Sequence, residues 1–235
     1  MRIGLMVFLN LFAIPVYLIK IKWLSRHRTK EETFAYIKKI VTRVNKNGRV
    51  KIEPHGISNI PKEDGFVLFP NHQGLYDVLV FLETCPKAFS FVAKHEVKDV
   101  PLLKTVIKAL DSLTMDRSDL RQSMRVIQQM SKRVADKENF LIFAEGTRSR
   151  MGNKMLPMKA GSFKCAVKAK APIVPCALID SFVPFDEKSI RKITVKVFYL
   201  KPMYYDEYKD MTTVQIAEEV GKRIQEVLDE KANNI

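Results

Sequence analysis

Apolar positions recur along this chain with two periods, and their alternation sets the expected architecture. Short apolar or alternating runs at residues 49–54, 66–69, 88–93, 113–115, 140–143, 173–178 and 193–199 read as strands. The segments between several of them carry the helical period. Phe34, Ile37, Val41 and Val44 share one side of a helix over residues 29–47, with Thr29 as its cap and Glu31 and Glu32 in its first turn. Leu120, Met124, Ile127, Met130 and Val134 do the same over residues 118–134. Helices are also expected over residues 102–110, behind Pro101, and over residues 162–169. Thr212 to Gln215 fits a capping box ahead of Ile216, Val220, Ile224 and Val227. Strands alternating with helices predict an α/β fold: a single domain with a mostly parallel mixed sheet flanked by helices.

The N-terminus breaks this pattern. Residues 3–19 are apolar apart from Asn10, with Pro15 as a second interruption. A spanning helix needs about 20 apolar residues and at least about 17, so the run is marginal for crossing a bilayer. Lys20, Lys22, Arg26, Arg28 and Lys30 follow it. A basic flank of this kind stays on the cytoplasmic side of a membrane. The expected arrangement is an N-terminal membrane-associating helical segment that dips into one leaflet, with basic residues at the headgroups. The plain alternative is a buried N-terminal helix. A secretory signal fits less well, because no small-residue cleavage site follows.

Charge points the same way. The 235 residues carry a formal net charge of +14, which calls for an anionic partner: nucleic acid, a lipid surface or a phosphorylated substrate. Cys85, Cys165 and Cys176 show no CxxC spacing and read as reduced, buried thiols. No zinc, P-loop or GxGxxG signature is present, and no bound metal or cofactor is expected.

The chemistry gathers after predicted strands, where active sites of α/β sheets form. His72 and Asp77 follow residues 66–69; Lys94, then Asp116 and Arg117, then Glu145 to Ser149 follow later strands. A histidine can exchange a proton near neutral pH, and a carboxylate can fix its tautomer. Five residues apart on a continuous helix, the two side chains would diverge by roughly 140°. They meet only if the chain turns between them, and Gly74 permits a turn. Gly146 lets backbone N–H groups approach a ligand, Arg148 offers a planar fork for phosphate, and Glu145 could hold a hydroxyl. Read alone, that tetrapeptide also fits a surface turn.

Taken together, these segments resemble the glycerolipid acyltransferase family, which contains the 1-acyl-sn-glycerol-3-phosphate acyltransferases. The family's NHxxxxD block matches Asn71, His72 and Asp77. Its second block matches Asp116-Arg117, with Asp111 and Thr114 in place of the usual Gly and Phe. Its FPEGTRS block matches residues 143–149 with Ala144 for Pro, and its Val-Pro strand matches Val174-Pro175. The lysine of the strand after the first block matches Lys94. The resemblance implies transfer of a fatty acyl group from a thioester to a lipid hydroxyl, here that of lysophosphatidic acid, giving phosphatidic acid. It implies His72 as general base and Asp77 as its orienting partner. Lys94, Arg117 and Arg148 would gather the acceptor phosphate, and Glu145, Gly146 and Thr147 would position the glycerol portion.

The expected partners are a membrane phospholipid surface, lysophosphatidic acid, and acyl-CoA or acyl carrier protein as acyl donor. The expected division is residues 1–48 for membrane association and residues 49–235 for the acyltransferase domain. Another lyso-lipid or aminolipid acceptor stays open through Asp111 and Thr114. A non-enzymatic binder of nucleic acid or membrane would account for charge alone, but no RNP-like or zinc-finger pattern accompanies it.

Overall fold

The computed structural model describes residues 1–232. In chain order it runs α1 (Arg2–Asn10), α2 (Ile14–His27), α3 (Lys30–Asn47), β1 (Val50–His55), β2 (Val67–Pro70), α4 (Asp77–Thr84) and β3 (Ser90–Lys94). It continues α5 (Pro101–Ala109), β4 (Leu113–Met115), α6 (Leu120–Ala135), β5 (Phe140–Leu141), α7 (Lys164–Ala169) and β6 (Ile173–Ile179). It ends α8 (Val183–Asp186), β7 (Ile193–Tyr199), α9 (Tyr205–Tyr208) and α10 (Thr213–Ala232). The last three residues of the expected 49–235 domain lie outside the described residues.

The strands form one sheet in the order β1-β7-β6-β2-β5-β3-β4. Neighbours are parallel throughout except β6 and β7. β6, β2, β5, β3 and β4 therefore all end at the same edge of the sheet. Pro175 sits in β6 opposite Phe69, and its carbonyl accepts from Leu200 N–H, just past the end of β7. Its nitrogen thus faces the β7 side, so the missing N–H leaves the parallel ladder to β2 intact.

Both faces of the sheet are covered, because alternate side chains of each strand point to opposite sides. Phe66, Leu68, Leu141, Phe143, Val174 and Cys176 join a core with α3, α4 and α5. Val67, Phe69, Phe140, Ile142, Ile173 and Ala177 join a second core with α6, α7 and α10. Val126, Met130 and Val134 of α6 contribute to that second core, at about 1.5–3 kcal/mol for each fully buried side chain. Cys85, Cys165 and Cys176 are all free and buried.

Helix starts follow local chemistry. Thr29 and Glu32 form a reciprocal capping box on α3, at 3.2 and 3.1 Å. Thr212 and Gln215 do so ahead of α10, at 2.8 and 3.3 Å. The N-terminal apolar run is two helices: α1 and α2 meet at a 76° bend, and among the described residues no single helix is long and apolar enough to cross a membrane. Two local features produce the break. Asn10 turns its side-chain amide back onto the Met6 carbonyl at 2.7 Å, and Pro15 lies in the first turn of α2, where its missing N–H costs nothing. The pair packs against α3 and α5, with Met6, Ile21 and Leu24 buried. Its other side leaves Val7, Phe8, Leu11, Phe12, Val16, Ile19 and Trp23 exposed.

Candidate active site

Five strands deliver their C-terminal ends to one edge, and the turn after β2 is built there around a single carboxylate. Asp77, the first residue of α4, is fully buried. Its Oδ2 accepts from Gln73 N–H at 2.7 Å and lies 2.8 Å from His72 Nδ1. Its Oδ1 accepts from Gly74 N–H at 3.0 Å and from the Ser181 hydroxyl at 2.7 Å. The backbone therefore wraps the carboxylate before reaching the helix, and this wrapping brings His72 and Asp77 together.

Gly74 serves this turn differently from the expectation. Its φ is not in the left-handed region. A Cβ there would stand 3.1 Å from Phe182 Cα and 3.4 Å from the Ser181 carbonyl oxygen. The glycine allows close approach of the segment that carries Ser181.

A second tier of hydrogen bonds locks the turn to β6. Asn71 exchanges two bonds with the Leu178 backbone, at 2.6 and 3.1 Å. Gln73 donates to the Leu178 carbonyl and to Asn153 Oδ1, both at 2.9 Å, and accepts from Ser181 N–H at 3.0 Å. His72 has its ring stacked on Phe143, with centroids 4.0 Å apart, and 16% of its side chain exposed. Asp77 occupies Nδ1, so the proton belongs there and Nε2 is the basic nitrogen. Nε2 makes no hydrogen bond to a described residue. A tautomer-locked imidazole with one open nitrogen is the geometry of a general base.

The loop after β5 closes against this turn, with Ser149 N–H donating to the His72 carbonyl at 2.8 Å. Glu145 meets a different geometry from the one expected of a glycerol-binding group. It is buried, with Oε1 accepting from His72 N–H at 2.6 Å and Oε2 from Leu156 N–H at 2.8 Å. Burial pushes its carboxyl up to about 7; the two amide bonds pull it down and nearby Asp77 raises it. Glu145 braces the backbone of His72 with oxygens that are both engaged.

Gly146 does adopt the left-handed region, at φ +79, and a Cβ there would come within 2.8 Å of Lys159 Cε and Nζ. Exposed Lys159 thus lies over the loop, anchored by its own N–H to the Ala144 carbonyl at 2.9 Å. Sequence reasoning missed Lys159 and Ser181. Lys159 lies in no strand-end segment, and Ser181, though just past the end of β6, stands 104 residues from the carboxylate it serves. Thr147 is exposed and Arg148 half-buried. The backbone N–H groups of both make no bond to a described residue.

Lys94 and Arg117 occupy the same edge, at the ends of β3 and β4. With strands spaced about 4.8 Å apart, they lie roughly 10 and 14 Å along the sheet from the end of β2. Lys94 is paired with Glu96 at 2.6 Å. Arg117 is half-buried; desolvation lowers its pKa, and Glu96 opposes that. His72, Asp77 and Glu145 are therefore in direct contact, while the cations form an arc beside them. Asp111 sits in the turn before β4 at φ 49, a conformation in which the family's usual Gly is at ease. Among the described residues no group of three His, Cys, Asp or Glu is placed to hold a metal ion.

The family model described as Acyltransferase matches residues 51–179, which span the His72–Asp77 turn and the Glu145 loop. The chain belongs to the acyltransferase family. Among relatives, a 1-acyl-sn-glycerol-3-phosphate acyltransferase of Cocos nucifera is 30% identical over 145 residues, covering 60% of this chain and 46% of that protein. One of Borreliella burgdorferi is 30% identical over 132 residues, covering 56% and 52%. The human 1-acyl-sn-glycerol-3-phosphate acyltransferase alpha is 26% identical over 192 residues, covering 81% and 65%. The chain spans about half the length of several of the curated relatives it matches. The fold is similar to the crystal structure of the 1-acyl-sn-glycerophosphate (LPA) acyltransferase PlsC from Thermotoga maritima. That match has a TM-score of 0.78 at 22% identity and covers 98% of this chain and 97% of that one. The matched region holds both the His72–Asp77 pair and the Glu145 carboxylate that braces the His72 backbone.

Proposed function

We propose that this acyltransferase moves a fatty acyl group from an acyl thioester to the free hydroxyl of lysophosphatidic acid, forming phosphatidic acid at a membrane surface. The observation that carries the reading is His72, held by Asp77 with Nε2 open, beside a loop topped by Arg148 and Lys159. Several relatives are named as acyltransferases of the same acceptor, 1-acyl-sn-glycerol 3-phosphate.

The open Nε2 of His72 supports the following course. His72 Nε2 takes the hydroxyl proton as its oxygen attacks the thioester carbonyl, and the imidazolium is stabilised by Asp77. A C–O bond forms and a tetrahedral oxyanion results. The free N–H groups of Thr147 and Arg148 on this loop would stabilise that oxyanion. Collapse breaks the C–S bond, and the proton on Nε2 leaves with the thiol. No acyl-enzyme is needed, since all three cysteines are buried and Cys85 and Cys165 are pushed up to about 11 and 12 by desolvation. Arg148, Lys159, Lys94 and Arg117 hold the acceptor phosphate. The donor is acyl-CoA or acyl carrier protein, for which the basic surface suits either acidic partner.

Residues 1–48 place the site at the cytoplasmic face of the membrane, with the exposed apolar side of α1 and α2 in one leaflet. Thiol release with a panel of lyso-acceptors tests the reading. A phosphomonoester acceptor should exceed a capped lysophospholipid by at least about tenfold, the minimum contribution of one charge-assisted phosphate contact. Equal rates would overturn the acceptor assignment and favour another lyso-lipid or aminolipid.

A further inference from the structure

A cavity of about 600 Å³ lies between α2 and α5, apart from the His72 turn. Lys22 and Arg26 of α2 and Lys104 and Lys108 of α5 line it, with buried Thr105 and Ala109 on the α5 side. Asp99 also lines it, so four cations face one carboxylate. None of the four cations is within ion-pair distance of a carboxylate among the described residues. Positive charge thus exceeds negative in the lining, and a cavity of this size accommodates a small polar group.

Its depth relative to the apolar surface says which group. On α2, exposed Val16, Ile19 and Trp23 fall within about 60° of one another, and Lys22 and Arg26 flank that stripe on one side. Exposed Val100, Leu102 and Leu103 begin α5 on the other side of the cavity. Tryptophan favours the headgroup layer, so Trp23, between Lys22 and Arg26 in sequence, sets that turn at the level of lipid phosphates. The cavity is thus a basic recess bordered by apolar side chains at phosphate depth.

We infer that the recess between α2 and α5 is a binding site for the phosphate of an anionic glycerophospholipid, separate from the catalytic acceptor site. The inference rests on the membrane placement proposed above. A phosphomonoester lipid carries the charge that four cations around a single carboxylate call for. Its chains would lie along the Val16–Ile19–Trp23 stripe while its phosphate occupies the recess.

The test compares two pairs of neutralising substitutions in the full chain. Lys104→Gln/Lys108→Gln empties the α5 side of the recess. Lys20→Gln/Arg28→Gln removes the same charge from α2 and the residue that caps its C-terminus. Co-sedimentation is measured with phosphatidylcholine vesicles, with and without phosphatidic acid. The α5 pair should weaken binding to phosphatidic acid vesicles by about 25-fold, at about fivefold per lysine, and leave phosphatidylcholine binding unchanged. The α2 pair should lose clearly less. Equal losses for the two pairs would mean diffuse attraction and overturn the site while leaving the membrane placement intact. Failure of the wild-type chain to bind either vesicle would overturn both.

Acetylation of Lys104 and Lys108 by a water-soluble reagent separates the sources of phosphate. Protection by phosphatidic acid vesicles, without protection by inorganic phosphate, supports a lipid site. Equal protection by inorganic phosphate would overturn the lipid assignment. Turnover of a detergent-dispersed acceptor should stay within about twofold of wild type for the α5 pair.

Discussion

The turn at residues 71–77 and the helix pair at residues 2–27 treat burial in opposite ways. In the turn, polar groups are taken out of water and satisfied: Asn71 and Asp77 are fully buried, and every bond they need is present. In the helix pair, apolar groups are left in water: Phe12 is 92% exposed, Phe8 73% and Ile19 69%. A buried carboxylate costs several kcal/mol unless donors surround it, so the turn must be rigid to exist at all. A contiguous exposed apolar face costs solubility unless something covers it, so the helix pair is built for a surface outside the protein. One region is complete in itself and positions an atom. The other, on the membrane placement proposed above, is completed by a bilayer and positions the whole molecule.

Breaking the turn should cost chemistry first. Asp77→Asn sets an amide N–H₂ among groups that are all donors and allows the wrong imidazole tautomer. Turnover should fall by about 10³-fold or more, with stability lower by about 2–4 kcal/mol. Steady-state kinetics and denaturant midpoints measure both, and a variant with near-normal kcat would mean that Asp77 does not orient His72. Breaking the helix pair should do the reverse. Phe8→Ser, Phe12→Ser and Ile19→Ser together should weaken vesicle binding by about 10²-fold or more, since each apolar side chain left in water forfeits about 1.5–3 kcal/mol. Thermal stability and turnover of a detergent-dispersed acceptor should be unaffected; unchanged vesicle binding would show that this face meets no membrane.

Glu145 sharpens the comparison, because it is a buried acid whose two amide bonds do not fully offset burial. Its folded pKa of about 7 exceeds an unfolded value of 4.5. A carboxyl shifted upward contributes stability below its unfolded pKa and loses it as pH rises through the folded one. Between about pH 4.5 and pH 7 the wild-type chain should therefore lose up to about 3 kcal/mol that Glu145→Gln does not. Thermal melts across that range check the slope, and parallel slopes would place the titration elsewhere. The smallest effect belongs to Ser181→Ala, which removes one of the donors to Asp77. It should cost about 1 kcal/mol and about fivefold in turnover; no change in either would mean that the remaining donors suffice.

What the sequence made legible follows the same division. Elements whose signals are local were readable: the strands at Leu113–Met115 and Ile193–Tyr199, the Thr29 cap of α3 and the capping box at Thr212 and Gln215. The His72–Asp77 contact was readable too, since a five-residue spacing after a strand allows few geometries. Roles created by distant segments were not. Glu145 reads in sequence as a group free to hold a substrate hydroxyl, because nothing nearby reveals that the His72 and Leu156 amides occupy it. Ser181 and Lys159 were invisible for the same reason. Gly74 was recognised as necessary, yet its reason is the backbone at Phe182 and not its own φ. The break between α1 and α2 depends on one asparagine bond and one proline inside a uniformly apolar run, where hydrophobic periodicity carries no signal.

The central claim is that His72 takes the proton from the acceptor hydroxyl. The direct measurement is phosphatidic acid formed from lysophosphatidic acid and an acyl thioester by the wild-type chain and by His72→Ala, at equal protein bound to equal vesicles. The wild-type chain should form product and the variant should be slower by at least about 10³-fold, with vesicle binding and thermal stability retained. Product formation by His72→Ala within tenfold of wild type would contradict the account.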